Sequence, residues 1–257
     1  MNYRHLTVEQ RAGRMEVTMN RPEVLNALNS EAHFELADAF DRFAADESLH
    51  VATLTGAGER AFCVGSDLKE RAAVGHDQMP PTGFAGLTER FDLHKPLIAL
   101  VNGDAIGGGM EVVLACDLAL AVDQARFGLP EPKVGLAASG GLHRLARQVP
   151  LKVGLEVALT GQLIDAPTAQ RFGLINRVVP RSRFEDATEQ LLRELEACAP
   201  LALRATKQMI FSGLDHAGLA EAYQGHYPEY ERMLLSEDAR EGNQAFVEKR
   251  PPAWKGR

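Results

Sequence analysis

The sequence predicts an α/β fold on three observations. Short apolar segments of strand character recur between helical patterns up to about Phe184. Beyond Phe184 the pattern is helical alone, rich in Leu, Ala, Glu and Arg. In the middle of the chain a glycine triplet, Gly107-Gly108-Gly109, opens an apolar helix with a glutamate, Glu111, in its first turn. Alternating strands and helices pack as layers on a shared core.

Strand patterns fall at Met15–Met19, Val51–Thr55, Leu97–Val101 and Leu118–Val122. Between the first two, Ser30–Ala45 puts Phe34, Leu36, Ala37, Phe40 and Phe43 on one helical face after an Asn29/Ser30 cap. In Ala61–Leu68, Gly65 allows a tight turn and Asp67 caps a helix beginning Leu68-Lys69-Glu70. With the Asp67 side chain so occupied, the Ser66 N–H is available to face a ligand. Residues 74–90 are dense in Gly and Pro and read as a loop, a substrate-facing flap rather than a linker, because core-like segments continue on both sides. In the helical tail Pro200 breaks one helix, and Asp215 and Ser236 are candidate caps for later ones. Phe211, Leu214, Leu219, Tyr223, Tyr227, Tyr230, Met233 and Leu234 give that tail apolar faces that need a cover. The chain has no internal repeat.

A length of 257 residues suits one domain or a domain with an appendage. The net charge of −7 argues against a nucleic-acid or anionic-membrane surface, and no basic stripe is interleaved with aromatics. Three scattered cysteines, Cys63, Cys116 and Cys198, form neither a disulfide framework nor a CxxC motif, so a reducing, cytoplasmic setting is expected. Met1–His5 lacks a signal-peptide apolar run, and no segment reaches the roughly eighteen apolar residues of a membrane span. The eight histidines have no HExxH spacing, so no metal site is expected.

The chemistry centres on Gly108 and Glu111, three apart on one helix face. An amide donor at a helix start beside a carboxylate suits an acyl carbonyl that becomes an enolate, each good donor lowering the barrier by roughly 3 kcal/mol. Ser66 is the candidate second donor. A glycine triplet alone is more often a close-packing feature or a turn than an oxyanion site. Its spacing fails the GxGxxG fingerprint, and no GK[ST] follows. Glu111 among Met110, Val112, Val113 and Leu114 is an expensive place for a solvated charge, although a first-turn glutamate also stabilises the helix dipole. Glu131, between Pro130 and Pro132, reads by itself as a solvated loop residue. Two carboxylates sharing one pocket would repel, leaving one protonated and the other charged.

Five pieces in this order resemble the enoyl-CoA hydratase/isomerase (crotonase) superfamily: Asn20-Arg21-Pro22 with Asn26-Ala27-Leu28-Asn29, Ala61–Leu68, Asn102–Glu111, Leu129-Pro130-Glu131 and Phe246-Val247-Glu248-Lys249-Arg250. The resemblance covers essentially the whole chain. It implies a spiral of ββα turns, with residues 1–195 holding the CoA and catalytic site and residues 196–257 forming a helical trimerisation region. It also implies an acyl-CoA hydratase in which Glu111 and Glu131 activate water and move protons, and the Ser66 and Gly108 amides hold the enolate. CoA would run along Ser66, Asp67, Leu68 and Lys69, and would meet Phe246 and Lys249 across a subunit boundary. CoA is then part of the substrate, with no separate cofactor, and the assembly is a homotrimer or dimer of trimers.

The run from Ser236 to Arg257, with Gly86-Leu87-Thr88-Glu89-Arg90, is particularly similar to the carnitinyl-CoA dehydratase branch, which makes that reaction the first alternative and enoyl-CoA isomerisation the next. A catalytically idle acyl-CoA- or RNA-binding scaffold is the rival from another class. The chain departs from the resembled hydratases at Gly135–Gly141, which lacks a proline and is one residue shorter. With Phe84 and Leu87 expected to line the distal pocket, this departure predicts a branched or functionalised acyl group rather than simple crotonyl-CoA.

Overall fold

The computed structural model describes residues 3–75 and 78–257. Part of the N-terminal segment and of the expected flap, namely Met1, Asn2, His76 and Asp77, lies outside the described residues.

Strands β1 (Leu6–Arg11) and β2 (Arg14–Met19) form an antiparallel hairpin, followed by α1 (Ser30–Ala45). Three strand–strand–helix turns come next: β3 (Val51–Gly56), β4 (Ala61–Cys63) and α2 (Leu68–Val74); β5 (Leu97–Val101), β6 (Asp104–Ile106) and α3 (Gly108–Ala115); and β7 (Leu118–Val122), β8 (Arg126–Gly128) and α4 (Leu142–Gln148). Helix α5 (Leu151–Thr160), β9 (Ile164–Asp165), α6 (Ala166–Arg171) and β10 (Arg177–Val179) follow. Helices α7 (Phe184–Glu196), α8 (Pro200–Gly213), α9 (Leu219–Tyr223), α10 (Pro228–Leu234) and α11 (Glu237–Glu248) complete the chain.

Each turn of the spiral contributes its first strand to one sheet and its second to another. The larger sheet runs β1-β2-β3-β5-β7-β10 and the smaller β4-β6-β8-β9, with β3, β5 and β7 parallel to one another, as are β4, β6 and β8. This is the ββα spiral that the resemblance implies.

The period-2 geometry of β5 explains its unbroken apolar run, since a strand buried on both faces has no solvated side. Leu97, Ala99 and Val101 enter the main core, while Ile98 and Leu100 join Val51, Leu120 and the α7 residues Leu191 and Leu192 on the opposite face. Helix α7 is therefore a cover for the larger sheet. No helix among the described residues is long and apolar enough to cross a membrane.

Several local expectations need correction. Phe34 is 48% exposed and points away from the core that takes Leu36, Ala37, Phe40 and Phe43. Pro200 starts α8 rather than breaking a helix, as suits a residue with fixed φ and no N–H to donate. Gly218, not Asp215, occupies the N-cap of α9, whereas Ser236 caps α11 by accepting from the Ala239 N–H. Tyr227 is buried, with its hydroxyl on the Ala222 carbonyl. The described part of the expected flap is packed from Phe84 to Thr88, and Leu87 belongs to the core rather than to the pocket wall.

Candidate active site

Because β4, β6 and β8 are parallel neighbours, the turns leaving them meet at one edge of the smaller sheet. The first turn carries Gly65 and Ser66, the second Gly107 and Gly108, and the third Leu129, Pro130 and Glu131. A Cβ on Gly65 would stand 3.0 Å from the Gly108 nitrogen, so the first two turns abut. Asp67 then caps α2, accepting from the Lys69 N–H at 3.2 Å, and is paired with Arg21 at 2.8 Å.

The glycine triplet is both a close-packing feature and part of the site. Gly107 has φ +58° and leaves no room for a Cβ, which would lie 2.9 Å from Glu131 Oε1. A Cβ on Gly108 would be 2.4 Å from the Phe84 ring, and one on Gly109 would be 1.9 Å from the Cys63 carbonyl oxygen. Helix α3 can therefore start against β4 and Phe84 only if those positions are bare. The first amides of such a helix have no partner within it.

Ser66, Gly108, Glu111 and Glu131 all line one cavity of about 430 Å³. Glu111 is 6% exposed, and its Oε1 has no hydrogen-bond partner among the described residues; the same holds for Glu131 Oε2. Burial, and after it the charge of Glu131, pushes the Glu111 carboxyl up to about 7, while the amides of Gly141 and Gly140 pull in the opposite direction. Glu131 is also raised, again by burial, against the effect of its own amide. Glu111, buried, and Glu131, half-buried, thus both have raised pKa values and an unsatisfied oxygen, which suits them to exchange protons with a molecule in the cavity.

The residues expected along a cofactor-like ligand are arranged differently. Leu68 lines the cavity, whereas Asp67 has its side chain engaged and Lys69 is exposed. Phe246, 85% exposed, and Lys249, at the end of α11, are not among the residues lining the cavity. Sequence reasoning missed Thr88, Glu89, Gly140 and Gly141 as site residues. A Cβ on Gly140 would be 3.2 Å from both Glu111 Oε2 and Thr88 Oγ1, contacts that carry no sequence spacing signal. Among the described residues no three His, Cys, Asp or Glu side chains converge to hold a metal.

The description of the enoyl-CoA hydratase/isomerase family matches residues 9–257. A carnitinyl-CoA dehydratase from Citrobacter koseri is 43% identical over 253 residues, covering 95% of each chain. An enoyl-CoA hydratase structure from Mycobacterium tuberculosis superposes with a TM-score of 0.90 at 39% identity, covering 98% of this chain and 99% of that one. A carnitinyl-CoA hydratase structure from Mycobacterium avium gives a TM-score of 0.78 at 38% identity over 100% of both chains.

Proposed function

The chain belongs to the enoyl-CoA hydratase/isomerase family, and from that premise we propose that it is a hydro-lyase adding water reversibly across the double bond of a 2-enoyl-CoA. The observation that carries this reading is the pair Glu111 and Glu131, each with a buried, unpartnered oxygen, lining one cavity at the glycine-opened start of α3. The thioester oxygen is held by the Ser66 and Gly108 amides, whose donation strengthens as the enolate develops. Water bonds to C3 while the π electrons move toward that oxygen, and one ionised carboxylate takes the water's proton. The protonated partner delivers a proton to C2, so the pair ends with the one proton it began with. Burial of Glu111 supplies a group able to be either partner near pH 7.

The CoA portion follows the backbone of Ser66, Asp67, Leu68 and Lys69, and no separate cofactor or metal is needed. Phe246 and Lys249 reach it from a neighbouring copy, with residues 196–257 forming the contacts of a trimer or a dimer of trimers. The working compartment is the cytoplasm, where Cys63, Cys116 and Cys198 stay as free thiols. A second reading, dehydration of a carnitinyl-CoA by the same carboxylates, is favoured by the 43% identity to the Citrobacter koseri dehydratase.

Incubation with crotonyl-CoA and longer enoyl-CoAs, followed by loss of the conjugated enone absorbance, tests the reaction. Glu111→Gln and Glu131→Gln should each lower turnover by roughly 100-fold or more while thioester affinity persists. Near-normal turnover in either folded variant excludes the two-carboxylate mechanism.

A further inference from the structure

Among the described residues, His33 is the one polar side chain that α1 buries, and it is 0% exposed. Its Nδ1 accepts from the Ala85 N–H at 3.0 Å, in the turn Phe84–Gly86, whose phenyl ring is part of the cavity wall. A backbone N–H can only donate, so Nδ1 keeps its lone pair here and the ring is neutral with its proton on Nε2. One helical turn further on, Ala37 receives the same loop: a Cβ on Gly86 would be 2.6 Å from Ala37 Cα. His33 and Ala37, four apart, therefore form one seat on α1.

The turn depends on that seat. Ala85 lies at φ +54° and ψ +19°, in the left-handed region that an alanine occupies at a cost. It is also 0% exposed, so without Nδ1 its N–H has no water to turn to. The turn in its place sets Phe84, whose ring meets His33 edge-on with 4.5 Å between centroids and lies 2.4 Å from where a Cβ on Gly108 would be. The Phe84 N–H donates to Thr88 Oγ1 at 2.9 Å, and that hydroxyl is 3.2 Å from a Cβ placed on Gly140, whose amide engages Glu111.

The geometry points to His33 as a positioning residue: its Nδ1 locks the Phe84–Gly86 turn, and through the Phe84 ring it fixes the start of α3 at Gly108. This rests on the hydratase reading and deepens it by naming what holds the enolate donor in place. A donor that acts on charge developing in the transition state loses more from misplacement than ground-state binding does, so the effect belongs in kcat.

Two variants separate the acceptor from the bulk of the side chain. Leucine at position 33 fills most of the ring's volume and offers no acceptor, whereas asparagine places Oδ1 where Nδ1 stood, two bonds from Cβ, and gives up the ring. On the enoyl-CoA that the wild type hydrates best, His33→Leu should lower kcat by about tenfold with KM held within about twofold. His33→Asn should return kcat to within about threefold of wild type, although it leaves the larger cavity and the lower melting temperature. Equal kcat in the two variants, or a kcat that follows melting temperature, overturns the proposal. Amide hydrogen exchange on the intact proteins reads the lock without turnover, with residues 84–88 exchanging faster in His33→Leu than in wild type or His33→Asn. Acceptor-dependent protection with no hydration of any enoyl-CoA by the wild type would overturn the reaction and keep the lock. Hydration with equal protection in all three proteins would do the reverse. The wild type carries a check that needs no variant to fold: nitrogen NMR of the His33 ring should show a neutral imidazole protonated at Nε2, and a proton on Nδ1 overturns the proposal.

Discussion

Glu111 sits in the first turn of α3 with Met110, Val112 and Val113 buried around it, and its carboxyl is pushed up to about 7, first by burial and then by Glu131. A carboxyl whose folded pKa exceeds its unfolded one binds its proton more tightly in the native state. The stability so contributed is complete below the ordinary carboxylate range and is lost as pH rises through about 7. The shift corresponds to about 3 kcal/mol. Glu111→Gln removes the buried charge with little change of shape, so it should stabilise the protein by about 2 kcal/mol near pH 8 and by little near pH 4. Urea unfolding of both proteins at the two pH values measures this, and equal stability near pH 8 would mean that ionised Glu111 carries no net penalty. Gly108 offers a second residue-scale test, because a Cβ there would lie 2.4 Å from the Phe84 ring. Gly108→Ala should cost about 1–3 kcal/mol through overpacking, and Phe84→Leu in the same chain should recover part of it. Additive losses in that double-mutant cycle would show that Phe84 is not the obstacle.

At the scale of elements, two of the expected caps, Asn29 and Ser236, behaved as local chemistry dictates, whereas Asp215 did not become one. Asn29 accepts from the Ala32 N–H at 3.0 Å, and Ser236 accepts from the Ala239 N–H at 3.0 Å. The chain end is held by an element-scale lock that no local motif announces. Asp238, 1% exposed in α11, accepts from the Lys255 N–H at 2.7 Å and the Gly256 N–H at 2.8 Å, and Trp254 Nε1 donates to the Ala197 carbonyl at 2.9 Å. Asp238→Ala leaves those amides without the carboxylate, so a loss of about 2 kcal/mol is expected. Chemical denaturation gives the energy, and faster proteolysis after Arg250 would place the loss at the tail; an unchanged midpoint and cleavage pattern would contradict the lock.

Across the whole molecule, ion pairs tie the C-terminal helices to the core: Arg204 and Arg232 meet Glu47 at 3.1 Å, and Lys207 meets Asp117 at 2.7 Å. The same helices still expose Leu219, Tyr223, Leu235, Phe246 and Val247, each by 75% or more. Apolar exposure on that scale marks a surface that association covers. The protein should therefore sediment as a trimer or hexamer at micromolar concentration, and a monomer under those conditions would refute that expectation. Arg substitutions at Leu235 and Val247, exposed within the single chain, should shift the population toward monomer while far-ultraviolet circular dichroism is retained.

The sequence by itself determined the α/β class, the four central strand patterns, α1 with its Asn29 cap, α2 with its Asp67 cap, and Glu111 as a carboxylate in an apolar helix start. Those features depend on spacing of two to four residues along the chain, where periodicity and capping act. Only the tertiary structure decided that Glu111 and Glu131, twenty residues apart, share a cavity, because their meeting follows from the parallel pairing of β6 with β8. It also decided that Phe34 is solvated, that Leu87 is core, that Gly140 and Gly141 stand beside Glu111, and that Glu89 lines the same cavity. Contacts of that kind arise from sheet register and loop packing between distant segments, and the local pattern around each residue is the same whichever way the loop turns.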